Sequence, residues 1–188
     1  MAAELVYIMG PGGAGKDTLL DKLRQYRRVE PAVVIAHRYI TREVQPGGEN
    51  HIPLATEAFR ERERLGCFAL SWSRDGIHYG IGREIDVWLA EGIHVVVNGS
   101  RAALSQAVTR YGEQLRPVLL HLPAATQRSR LLARGREDAE AVSDRVARDQ
   151  ALRAPSHARL TRLDATAPPG DMAAALLAEL VNKDMACE

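Results

Sequence analysis

Cysteine, lysine and long apolar runs are scarce in this sequence, and each scarcity excludes a class of protein or site. The two cysteines, Cys67 and Cys187, lie 120 positions apart in a chain of 188 residues, which excludes a disulfide framework and a cysteine metal site. No two of the six histidines lie four positions apart, so we expect no metal held by protein side chains alone. No apolar run approaches the roughly 20 residues of a membrane helix, and the apolar start at Leu5–Met9 lacks the basic flank of a signal peptide.

The scarcity of lysine makes the charge unusual in kind although it is balanced in amount. The formal net charge is +1, which argues against a nucleic-acid partner because such a partner usually requires a basic face. Only Lys16, Lys22 and Lys183 are lysines, so 22 of the 25 basic residues are arginine. With 46% hydrophobic and 26% charged residues, the composition is that of a globular protein, and we expect one soluble, cytoplasmic domain.

Short apolar runs alternate with longer helical patterns, which is typical of parallel βαβ units. Five runs predict the strands of one doubly wound α/β sheet: Leu5–Met9, 32–36, 94–97, 118–122 and 160–163. Two further runs at 68–72 and 77–81 flank Asp75-Gly76, which predicts a hairpin. One helix is expected directly after the glycine-rich loop that follows the first strand. The other expected helices span 56–65, 84–90, the segment up to Gly112, 126–134, 139–154 and 171–182. Thr126 is the expected N-cap of its helix and Gly135 the expected stop.

A glycine-rich motif connects the first predicted strand to the first predicted helix. Residues 10–16 read G-x-x-x-x-G-K, in the strand–loop–helix context that this phosphate-binding motif requires. The loop turns backbone N–H groups towards phosphate oxygens, and Lys16 is expected to bridge the β- and γ-phosphates. The predicted nucleotide site, which takes ATP with Mg²⁺, comprises Gly10, Gly12, Gly13, Ala14, Gly15, Lys16, Asp17 and Thr18.

Asp17 occupies the position at which such loops normally carry the serine or threonine that holds Mg²⁺. A carboxylate is a good ligand for this hard cation, so Asp17 is a candidate metal ligand. A negative charge in the first turn also stabilises a helix, and Asp17 could serve only that purpose. The sequence leaves both interpretations open.

The glycine loop alone is compatible with ATPases, GTPases and kinases. A GTPase needs N-K-x-D to read guanine, but Asn182-Lys183-Asp184-Met185 lacks the final aspartate and lies in the tail. A motor-type ATPase usually has a strand ending in Asp-Glu, and none of the predicted strands does. Small-molecule kinases therefore remain.

Arginine concentrates in residues 128–162, which carry nine arginines against five acidic residues. Guanidinium groups bind phosphate oxygens in bidentate fashion and neutralise the charge of a moving phosphoryl group. We therefore predict a lid at 128–150, with Arg134 and Arg145 as catalytic residues beside Lys16, and Arg130 at the nucleotide. Four other arginines of this stretch (Arg128, Arg153, Arg159 and Arg162) are expected only to solvate helices.

Several blocks resemble known kinases over about residues 5–148. The glycine loop, Thr41-Arg42, Tyr79-Gly80, Arg134-Gly135 and Arg145 resemble guanylate kinase. A closer resemblance is to the ribose 1,5-bisphosphate phosphokinases of bacterial phosphonate breakdown. It is carried by Gly15-Lys16-Asp17, Ala36-His37-Arg38-Tyr39-Ile40-Thr41-Arg42, Glu49-Asn50-His51-Ile52, Leu70-Ser71-Trp72, Tyr79-Gly80-Ile81-Gly82, Glu84-Ile85-Asp86 and Val97-Asn98-Gly99-Ser100-Arg101. The resemblance implies a P-loop kinase fold: a single domain over 1–188 with a five-stranded parallel sheet, an acceptor-binding insertion at 43–82 and the arginine lid.

Two departures from guanylate kinase bear on the acceptor. Leu70 stands where a guanine-reading glutamate is expected, and Asn98 and Ser100 replace the acidic residues expected after the central strand. A pocket cannot lose such groups without leaving the base unpaired, so we expect an acceptor other than GMP.

The resemblance implies transfer of the ATP γ-phosphoryl group to the 1-phosphate of α-D-ribose 1,5-bisphosphate, giving 5-phospho-α-D-ribose 1-diphosphate (PRPP) and ADP. The acceptor site predicted from it comprises Arg38, Arg42, His51, Tyr79, Asn98, Ser100 and Arg101. At most one of Glu84 and Asp86 should face the acceptor, because positions i and i+2 of a helix point in different directions. A nucleoside monophosphate kinase and a non-catalytic guanylate-kinase-like binding module remain alternatives, and the oligomeric state is open, a homodimer included.

Overall fold

The computed structural model describes residues 3–26, 33–44, 48–152 and 155–185, the last five of these by their backbone only. The strands in chain order are Leu5–Met9 (β1), Val33–Ile35 (β2), Arg38–Ile40 (β3), Ile52–Pro53 (β4), Phe68–Arg74 (β5), Ile77–Gly82 (β6), His94–Asn98 (β7), Leu115–His121 (β8) and Thr161–Asp164 (β9). The α-helices are Lys16–Gln25 (α1), Thr56–Arg64 (α2), Glu84–Ala90 (α3), Leu104–Tyr111 (α4), Ala124–Ala133 (α5), Ala139–Ala151 (α6) and Pro169–Met185 (α7). None of the helices in these ranges is long and apolar enough to cross a membrane.

The larger sheet contains five parallel strands in the order β2-β7-β1-β8-β9, so the predicted five-stranded parallel sheet is confirmed. Strand β1 lies at its centre, where Leu5 pairs with Val95 on one side and with Leu115 on the other. The loop that follows β1 therefore emerges from the middle of the sheet. In open α/β sheets this carboxyl edge is where ligands bind.

Side chains of β1 alternate between two hydrophobic layers, as the period of a strand requires. Leu5 and Tyr7 face a cluster that contains the apolar residues of α3 and α4. Val6 and Ile8 face the opposite cluster, which is formed with α1 and α7. Helices thus cover both faces of the sheet, and the first helix after the glycine loop is anchored in the core.

The smaller sheet has four strands in the order β4-β3-β6-β5 and carries α2 beside it. The predicted hairpin is confirmed as β5–β6, with Asp75 and Gly76 both at positive φ (51° and 75°). The sequence did not predict β3, because a three-residue strand with an arginine shows no pattern until β6 pairs with it. This sheet begins at Arg38, five residues before the predicted insertion at 43–82, and β4 lies inside that insertion. Residues 45–47 of the insertion lie outside the described residues.

Two helix ends differ in their agreement with prediction. The predicted N-cap at Thr126 is wrong: Pro123 caps α5 in an extended conformation, and its carbonyl accepts the N–H of Gln127 at 2.9 Å. Proline suits the start of a helix because it has no N–H to lose. The stop at Gly135 is confirmed, since α5 ends at Ala133 and Gly135 has φ 62°. Helix α6 ends at Ala151; part of its predicted end, at 153–154, lies outside the described residues.

Candidate active site

One cavity of about 280 Å³ opens at the carboxyl ends of β1 and β7, between the glycine loop and the smaller sheet. Most of the predicted site residues line it: Gly10, Gly12, Gly13, Gly15, Lys16, Asp17, Arg38, Arg42, Tyr79, Asn98, Ser100, Arg101, Arg134 and Arg145. Residues separated by up to 135 positions therefore meet in one place.

Lys16 lies folded against the glycine loop. Its Nζ donates to the carbonyl oxygens of Gly10 and Pro11, each at 3.0 Å. Burial lowers the pKa of Lys16 to about 8, although the negative charge of Asp17 opposes that shift. The ammonium group is thus satisfied by carbonyls of its own loop.

Asn98 joins the loop to the acceptor side of the cavity. Its Nδ2 donates to Asp17 Oδ1 at 3.2 Å and to Glu49 Oε1 at 3.3 Å. Its Oδ1 is buried and has no hydrogen-bond partner within the described ranges. That oxygen and the Asp17 carboxylate are the hard ligands that Mg²⁺ takes, usually together with phosphate oxygens and water. The same ranges contain no cluster of three histidine, cysteine or acidic side chains that could hold a metal without such help.

Tyr7 holds the turn after β7 in place through hydrogen bonds of its hydroxyl group. Its hydroxyl donates to the carbonyl of Ser100 at 2.9 Å and accepts the N–H of Ser100 at 2.8 Å. A Cβ at Gly99 would lie 2.2 Å from the Tyr7 ring, so only glycine allows this close approach. Burial raises the pKa of Tyr7 to about 12, which keeps its O–H protonated. The hydrogen-bonded ring therefore fixes the turn that presents Ser100 and Arg101.

Arg38, which is predicted to bind the acceptor, lines the cavity and is held in place by several neighbours. Its guanidinium group makes a bidentate ion pair with Glu49, in which Nε lies 2.6 Å from Oε1. The group also lies over the Tyr79 ring, 4.9 Å from its centroid, and Tyr79 stacks on Trp72 at 5.6 Å and 7°. Burial alone would raise the pKa of Glu49, but the hydrogen bonds and charge of Arg38 outweigh it and hold that pKa below its ordinary value. An ionised carboxylate and two stacked rings thus hold one arginine in place.

Arg42 differs from Arg38 in having an unsatisfied donor. Its Nε is buried and lacks a hydrogen-bond partner in the part of the chain that is described. A buried charged donor left unpaired is costly, and an anionic ligand in the cavity would supply the missing partner.

Three predicted or considered acceptor residues lie outside the cavity wall. His51 is buried, and its Nδ1 and Nε2 lie 2.9 Å from the carbonyl oxygens of Glu49 and Arg42. It thereby fastens the segment that carries Arg42, and we do not retain it as a substrate contact. Glu84 and Asp86 also lie away from the cavity, which agrees with the expectation that no more than one of them faces it.

The three arginines of the predicted lid that were assigned to the site occupy different environments. Arg145 pairs with Glu137 and packs on the glycine loop, where a Cβ at Gly12 would lie 2.8 Å from its nitrogens. Arg134 is exposed at the mouth of the cavity. Arg130 reaches under the loop and donates to the carbonyl of Ala165 at 2.9 Å.

A second cavity of about 310 Å³ lies on the other side of the glycine loop. It contains the predicted nucleotide residues that the first cavity does not, namely Ala14, Thr18 and Arg130, together with Ala165, Ala167, Pro169 and Met172. Gly13, Gly15 and Arg134 line both cavities.

Curated proteins of known name match the sequence over nearly its whole length. The chain is 48% identical over 179 residues to a ribose 1,5-bisphosphate phosphokinase PhnN of Desulfomicrobium baculatum, covering 94% of this chain and 95% of that one. It is 46% identical over 183 residues to the protein of the same name from Burkholderia pseudomallei, covering 96% and 97%. The chain belongs to the ribose 1,5-bisphosphate phosphokinase family. It is a kinase, as the resemblance of its motifs implied.

Solved structures show the fold of this phosphokinase family member. A guanylate kinase from Anaplasma phagocytophilum superposes with a TM-score of 0.66 at 13% identity, covering 98% of this chain and 88% of that one. A gluconokinase from Sinorhizobium meliloti superposes with a TM-score of 0.53 at 18% identity, covering 100% and 98%. The predicted P-loop kinase fold is confirmed. No family model matches the sequence.

The phosphokinase site also contains a buried carboxylate that the sequence did not indicate. Asp149 of α6 is only 2% exposed, and its Oδ2 accepts the N–H of Gly12 at 3.2 Å and Nε2 of Gln127 at 2.7 Å. Its Oδ1 accepts Nη2 of Arg101 at 2.8 Å. In the sequence Asp149 is one of five acidic residues on an arginine-rich stretch. Its seven-residue spacing from the buried Val142 was the available signal, because that spacing places both on one helix face.

Proposed function

We propose that the protein transfers the γ-phosphoryl group of ATP to the 1-phosphate of α-D-ribose 1,5-bisphosphate, giving PRPP and ADP. The observation that carries the proposal is the shared cavity, in which the phosphate loop faces Arg38, Arg42 and Arg101. Curated relatives that are 46–50% identical carry the corresponding name. An oxygen of the acceptor phosphate forms the new bond to the γ-phosphorus while the bond to the β–γ bridging oxygen breaks, and that oxygen leaves with ADP.

The chemistry makes few demands beyond placement and charge neutralisation. The attacking atom is already an anionic phosphate oxygen, so no strong general base is needed. Two highly charged substrates must be held in line, and the planar guanidinium group fixes phosphate orientation better than an ammonium group does. The proposed acceptor wall is accordingly built from arginines, while the loop itself carries a single lysine, Lys16.

The nucleotide is proposed to extend through both cavities. Its phosphates lie along the loop in the first cavity, and its base and ribose lie in the second, beside Thr18, Arg130 and Ala167. Arg134 and Arg145 then neutralise the charge of the transferring group. Asp17 and the unpartnered Oδ1 of Asn98 would hold Mg²⁺, whose contribution is to neutralise the β- and γ-phosphates.

Under this assignment, different parts of the chain bind the two substrates. We assign acceptor binding to the smaller sheet with α2, and closure over the nucleotide to residues 128–150, within a single domain. A cytoplasmic location and a homodimer stay predictions.

The acceptor pocket favours a sugar phosphate over GMP. Leu70, at the position where a base-reading carboxylate is expected, is 1% exposed and belongs to the apolar core. A buried leucine offers no hydrogen bond to a purine, whereas Asn98, Ser100 and the arginines supply donors for hydroxyl and phosphate oxygens.

Product analysis by ³¹P NMR tests the proposal. The protein is incubated with Mg-ATP and ribose 1,5-bisphosphate, and in parallel with Mg-ATP and GMP. We expect a new diphosphate signal with the ribose compound alone. Formation of GDP would instead assign a nucleoside monophosphate kinase, and no ATP turnover with either acceptor would indicate a binding module.

A further inference from the structure

The negative charge of Asp149 lies in the part of the cavity that must accept the negatively charged phosphates of the substrates. Its carboxylate accepts the N–H of Gly12, a backbone donor of the phosphate loop, and it pairs with Arg101 on the opposite wall of the cavity. The backbone carbonyl of Asp149 also accepts Nη1 of Arg101 at 3.0 Å. One buried aspartate therefore occupies donors on both sides of the cavity.

The surroundings hold this carboxylate firmly in the lid helix. Gln127 donates to Asp149 Oδ2 at 2.7 Å, and Arg74 at the tip of the β5–β6 hairpin lies 3.7 Å from Oδ1. Next to it, Arg148 pairs with Asp75 at 3.1 Å. The contacts join α6 both to the glycine loop and to the smaller sheet.

A phosphate and this carboxylate cannot share the loop. The N–H of Gly12 is a single donor already engaged at 3.2 Å, and two anions in contact there would repel each other. The Nζ of Lys16 likewise donates within the loop, to the carbonyls of Gly10 and Pro11.

We propose that Asp149 is an internal anion that competes with the triphosphate of ATP for the Gly12 N–H, so that nucleotide binding must displace the lid helix from the loop. The displacement also frees Arg101 for the acceptor, which couples the two halves of the cavity. This rests on the proposed function only in that the loop binds the phosphates of ATP.

Binding of inorganic tripolyphosphate, followed by calorimetry, tests the competition without base, acceptor or turnover. Asp149→Asn keeps the shape of the side chain but removes its charge, and we expect it to bind tripolyphosphate about tenfold more tightly than the wild type. The matched control is Asp144→Asn, which removes the same charge from an exposed position on the same helix. The excess gain of Asp149→Asn over this control should persist at high salt, because a contact is screened much less than a distant charge.

A second variant guards against misfolding of the first. Gln127→Met removes one of the donors that hold Asp149 but leaves the carboxylate, and it should tighten binding by about threefold. Thermal midpoints of all variants are measured beside the wild type. In an amide NMR spectrum the Gly12 signal should move with Asp149→Asn and stay in place with Asp144→Asn.

The outcomes separate this inference from the proposed function. If neither the wild type nor Asp149→Asn binds tripolyphosphate, both the competition and the phosphate loop assignment are contradicted. If the wild type binds it while folded Asp149→Asn and Gln127→Met bind it no more tightly, or more weakly, the competition is refuted and the phosphate loop assignment stands. A gain equal to that of Asp144→Asn, or one lost at high salt, also refutes the competition.

Discussion

The phosphate loop and the acceptor wall face each other across one cavity, yet they bind charge in different ways. The loop binds charge through backbone N–H groups and one lysine, and all of these lie within residues 10–16. The proposed acceptor wall uses Arg38, Arg42 and Arg101 from separate segments, and two of them have supports of their own: Glu49 and two aromatic rings for Arg38, and Asp149 for Arg101. A local turn needs little help from the rest of the fold, whereas a wall of buried guanidinium groups depends on it, since an unpaired buried charge is costly.

Removal of the loop lysine should have the largest effect. Lys16→Ala is expected to lower kcat about 10³-fold, because no other group of the loop carries the charge that stabilises the moving phosphoryl group. Steady-state kinetics measure this, and a thermal melt shows that the fold is kept. Lys22→Ala, on the outer surface of the same helix, is the control and should retain full activity. Near-normal turnover by Lys16→Ala would contradict the role of the loop lysine in stabilising the moving phosphoryl group.

Arg42→Ala tests the other side of the comparison. The variant loses the buried Nε that lacks a partner, so the KM for the acceptor should rise about 30-fold while the KM for ATP stays unchanged. Arg60→Ala, on the exposed side of α2, should leave both constants unchanged. A selective loss of ATP affinity in Arg42→Ala would contradict the acceptor assignment and show that Arg42 contacts the nucleotide.

Asp17→Asn separates the two interpretations of the residue after the loop lysine. If Asp17 helps to hold Mg²⁺ beside Asn98, the Mg²⁺ concentration for half-maximal rate should rise about tenfold, because a charged oxygen ligand is lost. An unchanged Mg²⁺ dependence with a lower thermal midpoint would show that Asp17 serves only the helix start. Asp21→Asn, an exposed acid of α1, is the control.

The smallest expected effect is the proton uptake that accompanies ATP binding. Lys16 has a pKa of about 8 in the folded, ligand-free protein against 10.5 ordinarily. Between those values the unfolded chain binds more protons at this site, so the contribution of Lys16 to stability rises with pH from about 8 to 10.5, and below pH 8 its burial costs most. Phosphate favours the charged form, so ATP binding at pH 9 should take up a fraction of a proton.

Calorimetry at pH 9 in buffers of different ionisation enthalpy measures this uptake. At pH 7 the uptake should vanish, since Lys16 is then already charged. Lys16→Arg keeps the charge without titrating and should show no uptake at either pH. Proton release at pH 9 would contradict the assignment of Lys16 as the group in contact with phosphate.

The comparison also explains which parts of the site were predictable. The glycine loop was found because its chemistry lies in seven consecutive residues between a strand and a helix. Arg38, Arg42 and Arg101 were identified through resemblance, and the structure brings them to one wall. Their supports were missed: Tyr7 looks like an ordinary strand residue, and Glu49 and Asp149 look like surface acids. Each becomes functional only through a partner 11 to 137 positions away.

Periodicity, turn residues and local motifs act over short stretches of chain, and they were enough to predict the five parallel strands, the hairpin and the phosphate loop from the amino-acid order. Only the folded chain shows which arginines meet in one cavity and that Asp149 accepts the N–H of Gly12. Backbone preference and hydrophobic alternation are properties of neighbouring residues, whereas the pairing of buried charges depends on segments that only the folded sheets bring together. Asp149 thus lies 2.8 Å from Arg101 and 3.7 Å from Arg74.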